Sequence, residues 1–110
     1  MKLFGSTKVI GLDIGTSFIK IAEIDHSRKG ATLVSFGIVQ TPRGAITPRG
    51  EIVDPMSVAN VIQGLVKEVK SKRKNVATGM WGSAVMVKKI SGPRMPEADL
   101  ATNIRFEAEQ

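Results

Sequence analysis

Apolar residues between positions 8 and 40 form three short runs separated by polar or glycine-containing turns. The runs cover residues 8–14, 18–25 and 31–40. Their length and their content of Val, Ile and Phe favour strands over helices. Because the linkers between them are short, we predict that the three strands form an antiparallel meander.

The pattern changes to a helical period after a loop at 41–51. Asp54 and Pro55 predict the helix start, as N-cap and first helical residue. We expect the helix over about 55–72, weakened at Gly64 by up to about 1 kcal/mol relative to alanine. Its apolar residues recur at helical spacing and predict one stripe that packs on the meander: Val58, Val61, Ile62, Leu65 and Val69.

Two further strands and a second helix are predicted downstream. A short strand at 75–81 follows the helix, so a right-handed crossover would place it parallel to a neighbouring strand. Another strand is predicted at 83–90, and a helix from about Pro96. This helix reaches Gln110 without a C-cap signal, and we interpret the chain as a piece of a larger protein.

Composition limits the classes of protein. The chain has 110 residues, of which 42% are hydrophobic, enough for one small domain or part of a larger one. It has no cysteine, which rules out disulfides and thiolate zinc sites within it. No apolar run approaches the roughly 20 residues of a membrane span, and no signal-peptide core follows Met1. We therefore expect a cytosolic protein.

The formal net charge of +6 raises the question of an anionic partner. Five basic residues cluster at 67–74, the predicted helix end, where positive charge suits the helix dipole. We favour a solvated helix end, with an anionic membrane surface as the alternative. Aromatic residues make up only 5% and Tyr is absent, so a stacking platform for nucleic acid is not expected.

The candidate chemistry lies in the turn between the first two strands. Asp13 ends an apolar strand, where a carboxylate is costly unless it pairs or meets a cation. Gly15 allows a positive φ or a close backbone approach, so that the amides of Thr16 and Ser17 point at one spot. With Lys20 nearby, the turn suits phosphate and a divalent ion. The alternative is an ordinary hairpin turn in which the aspartate caps its own backbone.

The pattern Asp13-x-Gly15-Thr16-x-x-x-Lys20 resembles the first phosphate motif of the actin, Hsp70 and sugar-kinase superfamily, which also sits in a hairpin. The resemblance implies that Asp13 holds Mg²⁺ through water. It also implies that Gly15, Thr16 and Ser17 offer backbone amides to the phosphates of ATP, which Lys20 reaches as well. No residue is assigned a catalytic role.

Four stretches, at 11–17, 50–55, 82–90 and 105–110, resemble the PilM family of actin-like type IV pilus assembly proteins. The resemblance covers nearly the whole chain from Lys8. The chain departs from the family pattern at two positions. Phe106 stands where Trp is usual, and Pro96 stands where the last helix tends to begin with a Ser cap.

The fold that this resemblance implies is α/β and actin-like (ribonuclease H-like). Residues 1–82 would form the meander, crossover helix and fourth strand of the first subdomain. Residues 83–110 would begin an inserted small α/β subdomain like that of the division protein FtsA.

The implied function is that of a cytoplasmic ATP-binding scaffold in pilus assembly and twitching motility. It would lie at the inner face of the inner membrane and link the PilN/PilO complex to the cytoplasmic machinery. Its expected partners are the N-terminal cytoplasmic peptide of PilN and other pilus assembly proteins, with homo-oligomerisation left open. The complete protein is expected to bind ATP and Mg²⁺ with at most weak hydrolysis, whereas the 110 residues alone would bind weakly or not at all. An FtsA-like division filament protein and a sugar kinase remain alternatives.

Overall fold

The structure is a computed structural model that describes residues 7–110. The predicted bounds of the first three strands agree with it to within two residues. The described elements are β1 (Lys8–Ile14), β2 (Phe18–Ser27), β3 (Gly30–Gln40), α1 (Pro55–Glu68), β4 (Val76–Thr78) and α2 (Glu97–Glu109).

The four strands form one sheet in the order β3-β2-β1-β4. β1 pairs antiparallel with β2, and β2 pairs antiparallel with β3, so the predicted meander is confirmed. β4 pairs parallel with β1, as expected for a strand that follows a crossover helix. The carboxyl ends of the parallel strands β1 and β4 therefore lie at the same end of the sheet. The β1–β2 turn lies at this end too, because it follows β1.

Helix α1 covers one face of this sheet. The predicted stripe is confirmed, because Val58 and Leu65 are buried while Val61, Ile62 and Val69 pack partly buried against the core. Full burial of each large aliphatic side chain contributes about 1.5–3 kcal/mol. The buried core consists of Ile10, Ile19, Ile21, Ala45, Ile46, Val58 and Leu65.

The opposite face of the sheet remains open among the described residues. Strand alternation places Asp13 and Lys20 on this face, together with the exposed apolar side chains of Phe36 and Ile38. The β-bulge opposite Glu23 and Ile24 brings the exposed side chain of Leu33 to the same face. A shallow apolar cavity of about 560 Å³ lies over these strands. The candidate phosphate turn thus borders a face that no helix within residues 7–110 covers.

Two elements are shorter than predicted. Helix α1 ends at Glu68 rather than near 72, because Lys70 adopts a left-handed φ of 54° that a helix cannot continue. Strand β4 covers three residues rather than the predicted 75–81, since only Val76 to Thr78 pair with β1.

The predicted strand at 83–90 is wrong. A turn follows Gly82, and residues 85–96 form no regular element. Met86 and Val87 are 89% and 93% exposed, so the apolar run that suggested a strand has neither a partner strand nor a core to pack against. Helix α2 begins at Glu97, and none of its residues is buried. The division of the chain at residue 82 into two subdomains stays a prediction.

Helices α1 and α2 are 14 and 13 residues long. Neither described helix combines the length and the apolar character that crossing a membrane requires.

Candidate functional site

The β1–β2 turn is closed by its own backbone. The amide of Gly15 donates a hydrogen bond to the carbonyl of Phe18 over 3.0 Å. A Cβ on Gly15 would lie 2.7 Å from that carbonyl oxygen, so only glycine fits. Gly15 does not have a positive φ. Of its two predicted uses, the close backbone approach is therefore the one that the structure shows.

Three of the four carbonyl groups from Ile14 to Ser17 accept hydrogen bonds from distant parts of the chain. The indole Nε1 of Trp81 donates to the carbonyl of Ile14 over 3.1 Å. Thr41 donates twice, from Oγ1 to the carbonyl of Gly15 over 2.7 Å and from its amide to the carbonyl of Ser17 over 2.9 Å. These bonds fix the peptide planes of the turn.

The amides of Thr16 and Ser17 are the donors left over at the tip. Neither donates to another residue in the described range 7–110, and both residues are exposed. Successive outward backbone N–H groups form a typical binding site for phosphate and other anions. Because the Gly15 amide is taken by Phe18, Thr16 and Ser17 are better placed than Gly15 to donate to such a ligand.

Asp13 and Lys20 flank the turn on the open face of the sheet. Lys20 Nζ lies 3.3 Å from Asp13 Oδ2, and the two side chains are 54% and 62% exposed. An ion pair this exposed contributes at most about 1 kcal/mol, so either partner can be released at low cost.

The side chains beside the turn fit Mg²⁺, which keeps part of its water shell, better than a metal ion whose ligands are all protein groups. Residues 7–110 contain no group of three or more His, Cys, Asp or Glu side chains that could hold a metal ion. Mg²⁺ usually keeps several waters and is held by one or two carboxylates together with substrate phosphates. The single carboxylate of Asp13, beside a turn whose Thr16 and Ser17 amides have no acceptor among residues 7–110, is compatible with that arrangement.

Thr41 is a part of the site that the sequence pattern did not indicate. Thr41 is only 6% exposed and follows the last residue of β3, where Gln40 pairs with Phe18. In this register residue 41 lies beside the β1–β2 turn. The role of Trp81 was not indicated by spacing either. Its ring lies against Gly50, and its Nε1 donates to the carbonyl of Ile14.

Comparison with known proteins places the chain in a family. The model of the family described as type IV pilus assembly protein PilM matches residues 11–110. A chain of a solved structure, the PilM-PilN type IV pilus biogenesis complex, matches with a TM-score of 0.74 and 26% identity. The match covers 96% of this chain and 30% of that chain, so the sequence spans about a third of its relative's length. Among curated proteins, none matches. The chain belongs to the PilM family of type IV pilus assembly proteins.

Proposed function

We propose that the chain supplies the first phosphate-binding turn of an actin-like, ATP-binding scaffold protein in type IV pilus assembly. The family match over residues 11–110 supports the pilus role and favours it over the division-protein and sugar-kinase alternatives. The observation that carries the nucleotide part is the turn itself. Its carbonyls are largely occupied, its Thr16 and Ser17 amides have no acceptor in the described chain, and Asp13 and Lys20 flank it.

In this proposal each residue has a separate task. The amides of Thr16 and Ser17 donate to phosphate oxygens, and Lys20 adds positive charge that compensates the phosphates. Gly15 keeps the turn tight, and Asp13 holds Mg²⁺ through its water shell. Bound Mg-ATP supplies the phosphate charge and the divalent ion that these groups recognise. No residue of the chain is proposed as a general base, so nucleotide acts as a conformational ligand with at most weak hydrolysis.

The proposed partner is the N-terminal cytoplasmic peptide of PilN. The matched solved structure is a complex that contains PilN. We place the peptide in a cleft to which β4 and residues 83–110 contribute. Apolar side chains of α2 that a partner could cover include Leu100, Ile104 and Phe106, which are 44%, 47% and 60% exposed. Such binding would hold the protein at the inner face of the inner membrane and link the PilN/PilO complex to the cytoplasmic machinery.

The proposal is tested by titration calorimetry in a full-length protein that carries this chain. The PilN peptide is titrated with and without Mg-ATP, and a peptide of the same composition in scrambled order is the control. We expect saturable one-to-one binding of the native peptide only. A folded protein that binds Mg-ATP but not the peptide would contradict the pilus-scaffold role and return the division-protein and kinase alternatives.

A further inference from the structure

Residues 81–83 join the β1–β2 turn, the proposed phosphate site, to the segment that leads towards α2. The Trp81 indole donates to the carbonyl of Ile14, the residue directly before Gly15. Two residues later, the amide of Ser83 donates to the carbonyl of Arg49 over 3.2 Å. The turn, the loop around Arg49 and the start of the downstream segment therefore meet within three consecutive residues.

The packing around this junction leaves little room for adjustment. The six-membered part of the Trp81 ring lies so close to Gly50 that a Cβ there would be 3.0 Å from the ring. Gly82 has a φ of +101°, and a Cβ on it would lie 2.4 Å from the carbonyl oxygen of Arg49. Only glycine meets both conditions at position 82. The chain therefore crosses the loop in direct backbone contact.

The loop beneath Trp81 is itself braced by hydrogen bonds. The amide of Thr47 donates to the carbonyl of Glu51, and the amide of Gly50 donates to the carbonyl of Thr47, each over 2.9 Å. Ser83 Oγ lies 3.4 Å from Glu51 Oε1 and adds a side-chain contact to the same loop. A shift of residues 81–83 would therefore also move the loop around Arg49 and the β1–β2 turn.

We infer that Trp81 is a positioning residue that couples the phosphate turn to residues 83–110. Ligand binding that shifts the Ile14 carbonyl would shift the indole, and with it the backbone at Ser83. Because binding free energies couple reciprocally, a partner that fixes residues 83–110 would equally change affinity at the turn. The ligand of the turn is taken as Mg-ATP, so this part of the inference rests on the proposed function.

Tryptophan combines two properties that this position uses. Its ring gives a broad apolar surface against Gly50, and its Nε1–H is a donor that reaches a carbonyl. Phenylalanine would keep most of the packing and remove the donor. The substitution Trp81→Phe therefore isolates the hydrogen bond. Met80→Leu is the matched control, because Met80 is the adjacent residue and is 80% exposed.

The first test needs no nucleotide. Amide hydrogen exchange is followed in the full-length protein at Gly15, Thr41 and Ser83, each of which donates a backbone hydrogen bond at the turn or the junction. Loss of one hydrogen bond predicts roughly fivefold faster exchange in Trp81→Phe at both places. Met80→Leu should change neither. Faster exchange at Ser83 alone, or at none of the three amides, would overturn the coupling.

The second test adds Mg-ATP and reads amide chemical shifts. In the wild type we expect responses at Thr16 and Ser17, at the indole N–H of Trp81, and at Ser83. In Trp81→Phe the Thr16 and Ser17 responses should persist while that of Ser83 falls severalfold. A Ser83 response of equal size in both proteins would overturn the inference. Wild-type protein without any response at Thr16 and Ser17 would contradict the proposed function instead, and the exchange test would then decide the structural link alone.

The indole N–H of the wild-type protein provides a further check. Trp81 is the only tryptophan among these 110 residues, and the spectrum of Trp81→Phe identifies its indole resonance in the full-length protein by the signal that is lost. Its resonance reports the hydrogen bond to Ile14 directly. An indole resonance that stays unchanged when the Thr16 and Ser17 amides shift would also overturn the inference.

Discussion

Asp13 and Lys20 occupy directly opposite positions on β1 and β2, and their side chains form an ion pair of 3.3 Å across the open face of the sheet. The pair brings a carboxylate and an ammonium group to the base of a turn whose tip offers two backbone donors. Each charge neutralises the other in the absence of ligand. Mg²⁺ at Asp13 and phosphate at Lys20 would replace one weak, exposed ion pair with two charge-assisted interactions.

The two charges should contribute to Mg-ATP affinity in distinguishable ways. We expect Asp13→Asn to weaken binding by about tenfold or more with Mg²⁺ present, and to have little effect in EDTA. Lys20→Gln should weaken binding in both conditions, because it removes charge that faces the phosphates. Titration calorimetry on the full-length protein measures both effects.

Lys29→Gln, on the exposed turn between β2 and β3, is the control for a general loss of positive charge. Thermal unfolding should show changes of less than about 1 kcal/mol for both site variants, because the pair is exposed. If both site variants bind Mg-ATP as tightly as the wild type, Asp13 and Lys20 are not part of the binding site.

Thr41 should matter for both stability and binding, although it does not touch the ligand. Thr41→Val keeps the shape but leaves the carbonyl of Gly15 without its donor, at a cost of about 1 kcal/mol. Urea unfolding measures this cost, and Mg-ATP titration measures the loosening of the turn. Thr32→Val, on an exposed position of β3, is the matched control. Affinity and stability equal to the wild type would show that Thr41 does not hold the turn.

Local pattern was sufficient for the meander, α1 and the hairpin that carries the candidate site. The apolar runs of β1 to β3 have no competing period, and Asp54 with Pro55 marks the start of α1. These features depend on residues close together in sequence.

Long-range contacts explain what the pattern missed. Thr41 is 26 residues from the carbonyl that it binds, and Trp81 is 67 residues from its acceptor, so spacing carried no signal for either bond. The false strand at 83–90 has the opposite cause. Its apolar residues satisfy a strand pattern, but the described residues offer it no partner. Tertiary context therefore determines both the long-range hydrogen bonds of Thr41 and Trp81 and the absence of a strand at 83–90.

Two glycines near α1 should respond oppositely to alanine. At Gly37 on β3, a Cβ would lie 2.7 Å from Leu65 Cδ1 and 3.0 Å from Val69 Cγ1, so Gly37→Ala should destabilise by about 1–3 kcal/mol. At Gly64 within α1, a Cβ meets nothing within 4 Å, so Gly64→Ala should stabilise by up to about 1 kcal/mol. Urea unfolding of both variants tests the packing of α1 on the sheet. Effects of the same sign would contradict it.

The N-cap of α1 should make stability depend on acid pH. Asp54 Oδ2 accepts from Ser57 Oγ over 2.7 Å, and Oδ1 accepts from the Ser57 amide over 3.2 Å. These bonds, the side-chain one foremost, lower the pKa of Asp54. A lowered pKa in the folded state means that the carboxylate stabilises the fold fully above the ordinary aspartate pKa of about 3.9. This contribution is lost as the pH falls through the lowered folded-state pKa.

Asp54→Ala should therefore unfold at lower urea concentration than the wild type at pH 7, and the difference should shrink as the pH falls below about 4. Asp54→Asn is the control, because an amide oxygen still caps the helix but does not titrate in this range. Its stability should stay near that of the wild type at pH 7 and should lack the acid-dependent component of Asp54. A gap between wild type and Asp54→Ala that is constant from pH 7 to about pH 2 would show that the carboxylate charge does not contribute to the cap.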